Sequence, residues 1–112
     1  VRKVCNHCSA VEQVSARELE MLGIPDAKPF AVKRIKGCER CNQKGYRGRI
    51  GIFELLVVDD RVSRMIIHDE NLDKIVSYAR AELGFQSLRE DGIKKIRQGL
   101  TTPEEIMRVT ME

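Results

Sequence analysis

Two short cysteine pairs, Cys5-x-x-Cys8 and Cys38-x-x-Cys41, contain every cysteine in the chain. Within each pair both sulfurs can reach one small ion. The 29 residues between the pairs leave room for a helix and a strand between two knuckles. Four thiolates at this spacing suit tetrahedral Zn²⁺ and fill its coordination, leaving no open position for substrate. The spacing therefore predicts a structural metal held by Cys5, Cys8, Cys38 and Cys41. Iron in a rubredoxin-like site would use the same ligands, and zinc is preferred because nothing else points to electron transfer. Disulfides are the competing use. They are disfavoured because a charged chain with no export signal belongs in a reducing cytoplasm.

A chain of 112 residues with 4% aromatics and no tryptophan must build its core from Ile, Val and Leu. A core of that size gains much from a metal staple. No apolar run reaches the roughly 18 residues that a membrane-spanning helix needs. The start, Val1-Arg2-Lys3-Val4-Cys5, has no initiator methionine or signal-like apolar stretch and reads as part of a longer protein. The formal charge is +3; four thiolates with one Zn²⁺ would bring it to about +1. Residues 1–56 hold 11 Lys/Arg against 6 Asp/Glu, and residues 57–112 hold 9 against 11. That basic bias is too small and too dispersed to predict nucleic-acid binding.

Ser15-Ala16-Arg17-Glu18 forms a capping box opening a helix that ends near Leu22, before Gly23 and Pro25. Phe30–Lys36 alternates apolar and basic residues and predicts a short strand. Arg49–Val58 is the strongest strand signal, although its apolar phase shifts near Ile52, which implies two buried faces or a bulge. From Asp59 the pattern is helical. Asp59 or Asp60 caps a helix bearing Val62, Met65 and Ile66. Asn71 caps a second with Leu72, Ile75, Val76, Ala79 and Leu83, and Ser87 a third with Leu88, Ile93, Ile96 and Leu100. Thr102-Pro103-Glu104-Glu105 opens the last as a capping box with proline at the first helical position. Ile66 and Ile67 are expected in the core. The fold class is α+β. A tetracysteine zinc module over residues 1–57 precedes about four short helices over residues 58–112.

The run Cys38-Glu39-Arg40-Cys41-Asn42-Gln43-Lys44-Gly45-Tyr46-Arg47-Gly48-Arg49-Ile50-Gly51-Ile52-Phe53-Glu54-Leu55-Leu56 resembles the tetracysteine motif of bacterial type II secretion and type IV pilus assembly ATPases. Leu88-Arg89-Glu90-Asp91-Gly92, Gly99-Leu100-Thr101-Thr102 and Glu104-Glu105-Ile106-Met107-Arg108-Val109-Thr110 follow in the order of that family's extreme C-terminus. The resemblance covers essentially the whole chain. Lys44 or Gln43 stands where many relatives have a small residue before Gly45. The resemblance implies the C-terminal metal-binding region of a hexameric ATPase, cytoplasmic and peripheral to the inner membrane through its partners. ATP and Mg²⁺ would sit in an upstream RecA-like domain. The implied partners are adjacent subunits and the inner-membrane platform protein, without nucleic acid or membrane insertion. No G-x-x-x-x-G-K-S/T is present in these 112 residues, so no ATP hydrolysis is expected of them alone. A zinc-ribbon adaptor for nucleic acid or protein is the alternative, resting on the basic first half and on Arg47 and Arg49. A redox dithiol enzyme ranks third.

Other polar residues have duller readings. His7 is expected on the exposed rim of a knuckle, and His68 at a helix C-terminus where the dipole favours it. Gly45-Tyr46-Arg47-Gly48 matches the G-x-x-G loop of KH RNA-binding domains only weakly, since it joins a knuckle to a strand. Tyr46, Arg47 and Arg49 could form a partner-binding tip, or Tyr46 could pack on the metal site. Arg89, Glu90 and Asp91 suit first-turn electrostatics or an intersubunit ion pair better than catalysis. Lys94, Lys95 and Arg97 are expected on a solvated helix face.

Overall fold

The computed structural model describes residues 1–110. Strands β1 (Arg2–Val4), β2 (Ala10–Gln13), β3 (Ala31–Arg34) and β4 (Tyr46–Arg49) alternate with helix α1 (Ala16–Met21) and a 3₁₀ turn (Glu39–Cys41). Helices α2 (Asp60–Ile67), α3 (Leu72–Glu82), α4 (Leu88–Arg97) and α5 (Pro103–Thr110) follow. The strands form two antiparallel ribbons, β1 with β4 and β2 with β3. Mixed helix and strand is the class expected from the sequence.

The chain divides into two compact units. One contains Val1–Ile52 and the residues from Leu88 onward, and the other is Phe53–Ser87. This partition differs from the boundary expected at residue 57, because the four C-terminal helices separate into two pairs. Ile93, Ile96 and Ile106 of α4 and α5 are buried in one cluster with Val14, Leu19, Leu22 and Val32. Burying each such aliphatic side chain is worth about 1.5–3 kcal/mol, enough to hold both helices on the cysteine-bearing half. Gly92 is what lets α4 and α5 approach: a Cβ there would lie 2.8 Å from Ile106 Cγ2. Arg89 closes the same contact, its Nε donating to Thr110 Oγ1 and its Nη2 to the Thr110 carbonyl, at 3.2 and 3.1 Å.

Local signals explain several elements. The Ser15 hydroxyl accepts from the Glu18 amide at 3.1 Å, and the Glu18 carboxylate accepts from the Ser15 amide at 2.9 Å. Both halves of the expected capping box therefore form. Arg34 on β3 then joins Glu18, Glu12 and Glu104, tying α1, β2 and α5 to one guanidinium. That pairing, strongest at Glu18, holds the Glu18 carboxyl down at about 2. In the second unit Asp59 caps α2 by accepting from the Val62 amide at 2.8 Å, and Asn71 caps α3 by accepting from the Lys74 amide. Val62, Ile75 and Ala79 are buried between these two helices.

Four expectations are corrected. The segment expected as a strand over residues 49–58 leaves regular structure after Arg49. Ile50 still exchanges two backbone hydrogen bonds with Val1, its carbonyl accepting at 2.8 Å and its amide donating at 2.9 Å. From Phe53 the chain belongs to the other compact unit, where Phe53 and Leu55 stand 71% and 74% exposed. Ile66 and Ile67 are exposed rather than core, because the buried stripe of α2 passes through Val62. Thr102 caps α5 by accepting from the Glu105 amide, but the Glu105 carboxylate turns away to Arg2 and Arg108, so the box is half formed. Tyr46 forms neither a tip nor a lid on the cysteines. Its hydroxyl shares a hydrogen bond with Thr102 Oγ1 at 2.7 Å, and the Arg2 guanidinium lies 4.2 Å from its ring centroid.

Candidate metal centre

The four cysteines lie on two backbone knuckles clamped together. Cys5 follows β1, and its amide donates to the Gly45 carbonyl at 2.9 Å. Cys38 and Cys41 flank the 3₁₀ turn, and the Gln43 amide closes it on the Cys38 carbonyl at 2.8 Å. The tight return needs left-handed backbone at Asn42, Gln43 and Gly45. At Gly45 no other residue fits, since a Cβ would lie 2.4 Å from Ile35 Cβ and φ is +82°.

The thiols are free, and all four Sγ atoms lie within 4.8 Å of one another. The distances are 3.8 Å for Cys5–Cys38, 3.8 Å for Cys8–Cys41 and 3.7 Å for Cys38–Cys41. A tetrahedron with Zn–S bonds of about 2.3 Å has edges of about 3.8 Å, whereas a disulfide needs about 2.05 Å. The donor set thus fits one tetrahedral ion. Backbone amides already face the sulfurs: Gly37 to Cys8 at 3.3 Å, Cys38 to Cys41 at 3.3 Å and Gly45 to Cys41 at 3.2 Å. Burial works against charge on Cys41, yet the Gly45 and Cys38 amides outweigh it and hold its thiol at about 6. Burial instead pushes Cys38 up to about 11. Such N–H···S bonds orient and stabilise thiolate ligands. His7 is exposed on the rim and is not among the clustered ligand atoms.

A second charged centre went unread in the sequence. Glu105, 1% exposed, accepts from the Arg2 amide, Nε and Nη2 at 2.7, 2.9 and 3.0 Å. It also accepts from Arg108 Nε and Nη2 at 2.9 and 3.0 Å. Burial alone would raise its pKa, but Arg108 and Arg2 hold it far below the usual carboxylate range. The Thr101 hydroxyl adds a bond to the Arg2 carbonyl at 2.8 Å, and the Val4 amide donates to the Leu100 carbonyl at 3.0 Å. The first knuckle is thereby fixed to the start of α5. A Glu after Thr-Pro signals a cap, and only the fold reveals its arginines.

The remaining polar residues are mostly structural. Asp91 pairs with Lys95 at 3.3 Å along α4, and the Arg97 guanidinium lies 3.9 Å from the Phe30 ring centroid. Gly45 precedes β4 and Gly48 lies within it, so the tetrad is not a helix-to-helix loop. Among the described residues no helix is long and apolar enough to cross a membrane.

The family model for type II/IV secretion system proteins matches residues 1–108. The chain is 40% identical to the type II secretion system protein E of Pseudomonas aeruginosa, over all of this chain and 22% of that protein. It is 41% identical to the type IV pilus assembly ATPase PilB of Thermus thermophilus, over all of this chain and 13% of that protein. It is 38% identical to the type II secretion system ATPase E of Vibrio cholerae, again over the whole chain and 22% of the relative. The chain therefore spans about a fifth or less of these relatives.

Proposed function

Given that the chain belongs to the type II/IV secretion system protein family, we propose that it is a metal-stapled coupling region of a hexameric ATPase driving protein export or pilus assembly. The observation that carries this reading is the set of Sγ separations of 3.7–3.8 Å, with backbone amides aimed at two of the sulfurs. Zn²⁺ bound by Cys5, Cys8, Cys38 and Cys41 would be coordinatively closed, so its role is rigidity. Structural zinc contributes about 10–16 kcal/mol in small folds, which makes the bound unit a single stiff body. Nucleotide hydrolysis is assigned to a RecA-like domain outside these residues, where ATP and Mg²⁺ bind.

The unit would pass nucleotide-driven motion to the inner-membrane platform protein, from a cytoplasmic position at that membrane. The exposed apolar run from Phe53 to Val58 supports docking of the second unit against the nucleotide domain or an adjacent subunit. Two measurements test the proposal. Elemental analysis of the chain should find one zinc per molecule, lost in Cys38→Ser; iron, or no metal, would overturn the site. In the whole ATPase, Cys38→Ser should uncouple export or pilus assembly from hydrolysis. Unimpaired export by that variant would remove the coupling role.

A further inference from the structure

We propose that the outer face of the β1–β4 ribbon, beside the first knuckle, binds an acidic peptide segment of a partner protein. Lys3 on β1, His7 on the first knuckle, Arg40 on the 3₁₀ turn and Arg47 on β4 line one concavity of about 230 Å³. They come from four places in the chain, and no carboxylate lines the hollow with them. Arg2 and Tyr46, which stack on each other, are not among the residues that line it. The Lys3 stem lies along Gly48, its Cδ 3.9 Å from where a Cβ would be.

What distinguishes Lys3, Arg40 and Arg47 is that three cations without a charged partner share one hollow. Arg2 and Arg108 are committed to Glu105, Arg34 to three glutamates, Arg89 to Thr110 and Arg97 to Phe30. The Arg40 and Arg47 side chains are exposed and make no ion pair or hydrogen bond among the described residues. Bringing unpaired like charges into one hollow costs free energy that an incoming anion recovers. Zinc held by four thiolates would carry a net charge of about −2 that offsets part of this positive charge and leaves the exposed Arg40 and Arg47 heads for an incoming anion.

The size and chemistry select the ligand. A hollow of about 230 Å³ admits one or two carboxylate side chains, not a folded domain. Guanidinium forks match carboxylates in bidentate fashion. Nucleic acid is disfavoured, since single strands need stacking rings and no Phe, Tyr or Trp lines the hollow. The proposal rests on the coupling reading only in taking the partner to be a protein. A chain that binds the peptide yet fails to couple export would leave it standing and remove the other.

The test uses the metal-loaded chain with a fluorescent peptide of alternating Asp and Glu, and an Asn/Gln peptide as control. Binding of the acidic peptide should weaken at least tenfold in Arg40→Glu/Arg47→Glu, with zinc content unchanged. Arg17→Glu/Lys28→Glu, which alters net charge equally at exposed positions outside this hollow, should bind as the parent does. Three results would overturn the proposal: no preference for the acidic peptide, equal losses in both double variants, or tighter binding to a thymidine oligonucleotide or to phosphatidylglycerol vesicles.

Discussion

Glu105 accepts three hydrogen bonds from Arg2, a residue 103 positions earlier in the chain. The carboxylate is buried, while the Arg2 and Arg108 side chains are half exposed. Water can therefore solvate the arginines when the acid is lost, but a glutamine oxygen can keep only some of the five bonds that the carboxylate accepts. Glu105→Gln should cost about 2–4 kcal/mol, at or below the usual range for breaking a buried pair. Urea denaturation of the metal-loaded chain at neutral pH would measure it.

Acid should act through the same clamps. Glu18 is held at about 2 by Arg34, and Glu105 lies lower still. In the unfolded chain both titrate near 4.3. The unfolded state thus takes up protons first as pH falls, so their stabilisation is complete above about pH 5 and drains away below it. Thiolate protonation works in the same direction. The informative comparison is the stability slope between pH 5 and 3 for the parent and Glu18→Gln at equal metal content. The variant should show the shallower slope.

Removing the metal should loosen more than the knuckles. Because α4 and α5 share a core with β3 and α1, chelation should speed hydrogen exchange across residues 88–110 as well as 1–52. Amides of α2 and α3 should change little. Uniform protection before and after complete chelation would remove the stapling role.

Gly92→Ala should destabilise despite the better helix propensity of alanine. The added methyl lies 2.8 Å from Ile106 Cγ2 and 2.9 Å from Cδ1. Overpacking costs about 1–3 kcal/mol and propensity returns about 1, leaving a net loss of up to about 2. Ile106→Val should recover part of it in a double-mutant cycle.

The cysteine cluster and the helix caps were legible because their signals are local. Cys-x-x-Cys fixes two ligands by spacing, and Ser15, Asp59 and Asn71 cap from adjacent positions. Strands β1, β2 and β4 were not legible, because three- and four-residue segments such as Ala10-Val11-Glu12-Gln13 are too short for alternation to register. Arg49–Val58 misled for the opposite reason. Its composition suits a sheet, but the ribbon pairing reaches Ile50 and from Phe53 the run belongs to the other compact unit. Glu105 was read from its neighbours Thr102 and Pro103, and its true partners are set by tertiary packing with Arg2.

The clasp between Arg2 and Glu105 also sets an order of assembly. On a ribosome the two knuckles emerge dozens of residues before Ile93, Ile96 and Ile106, which complete their core. During that interval the metal proposed at Cys5, Cys8, Cys38 and Cys41 would hold the two knuckles together, and the long loop to α5 is closed last. Scarcity of that metal during synthesis would therefore leave an open half-core exposed to aggregation. The same scarcity after α5 has docked would meet a unit already closed at its far end.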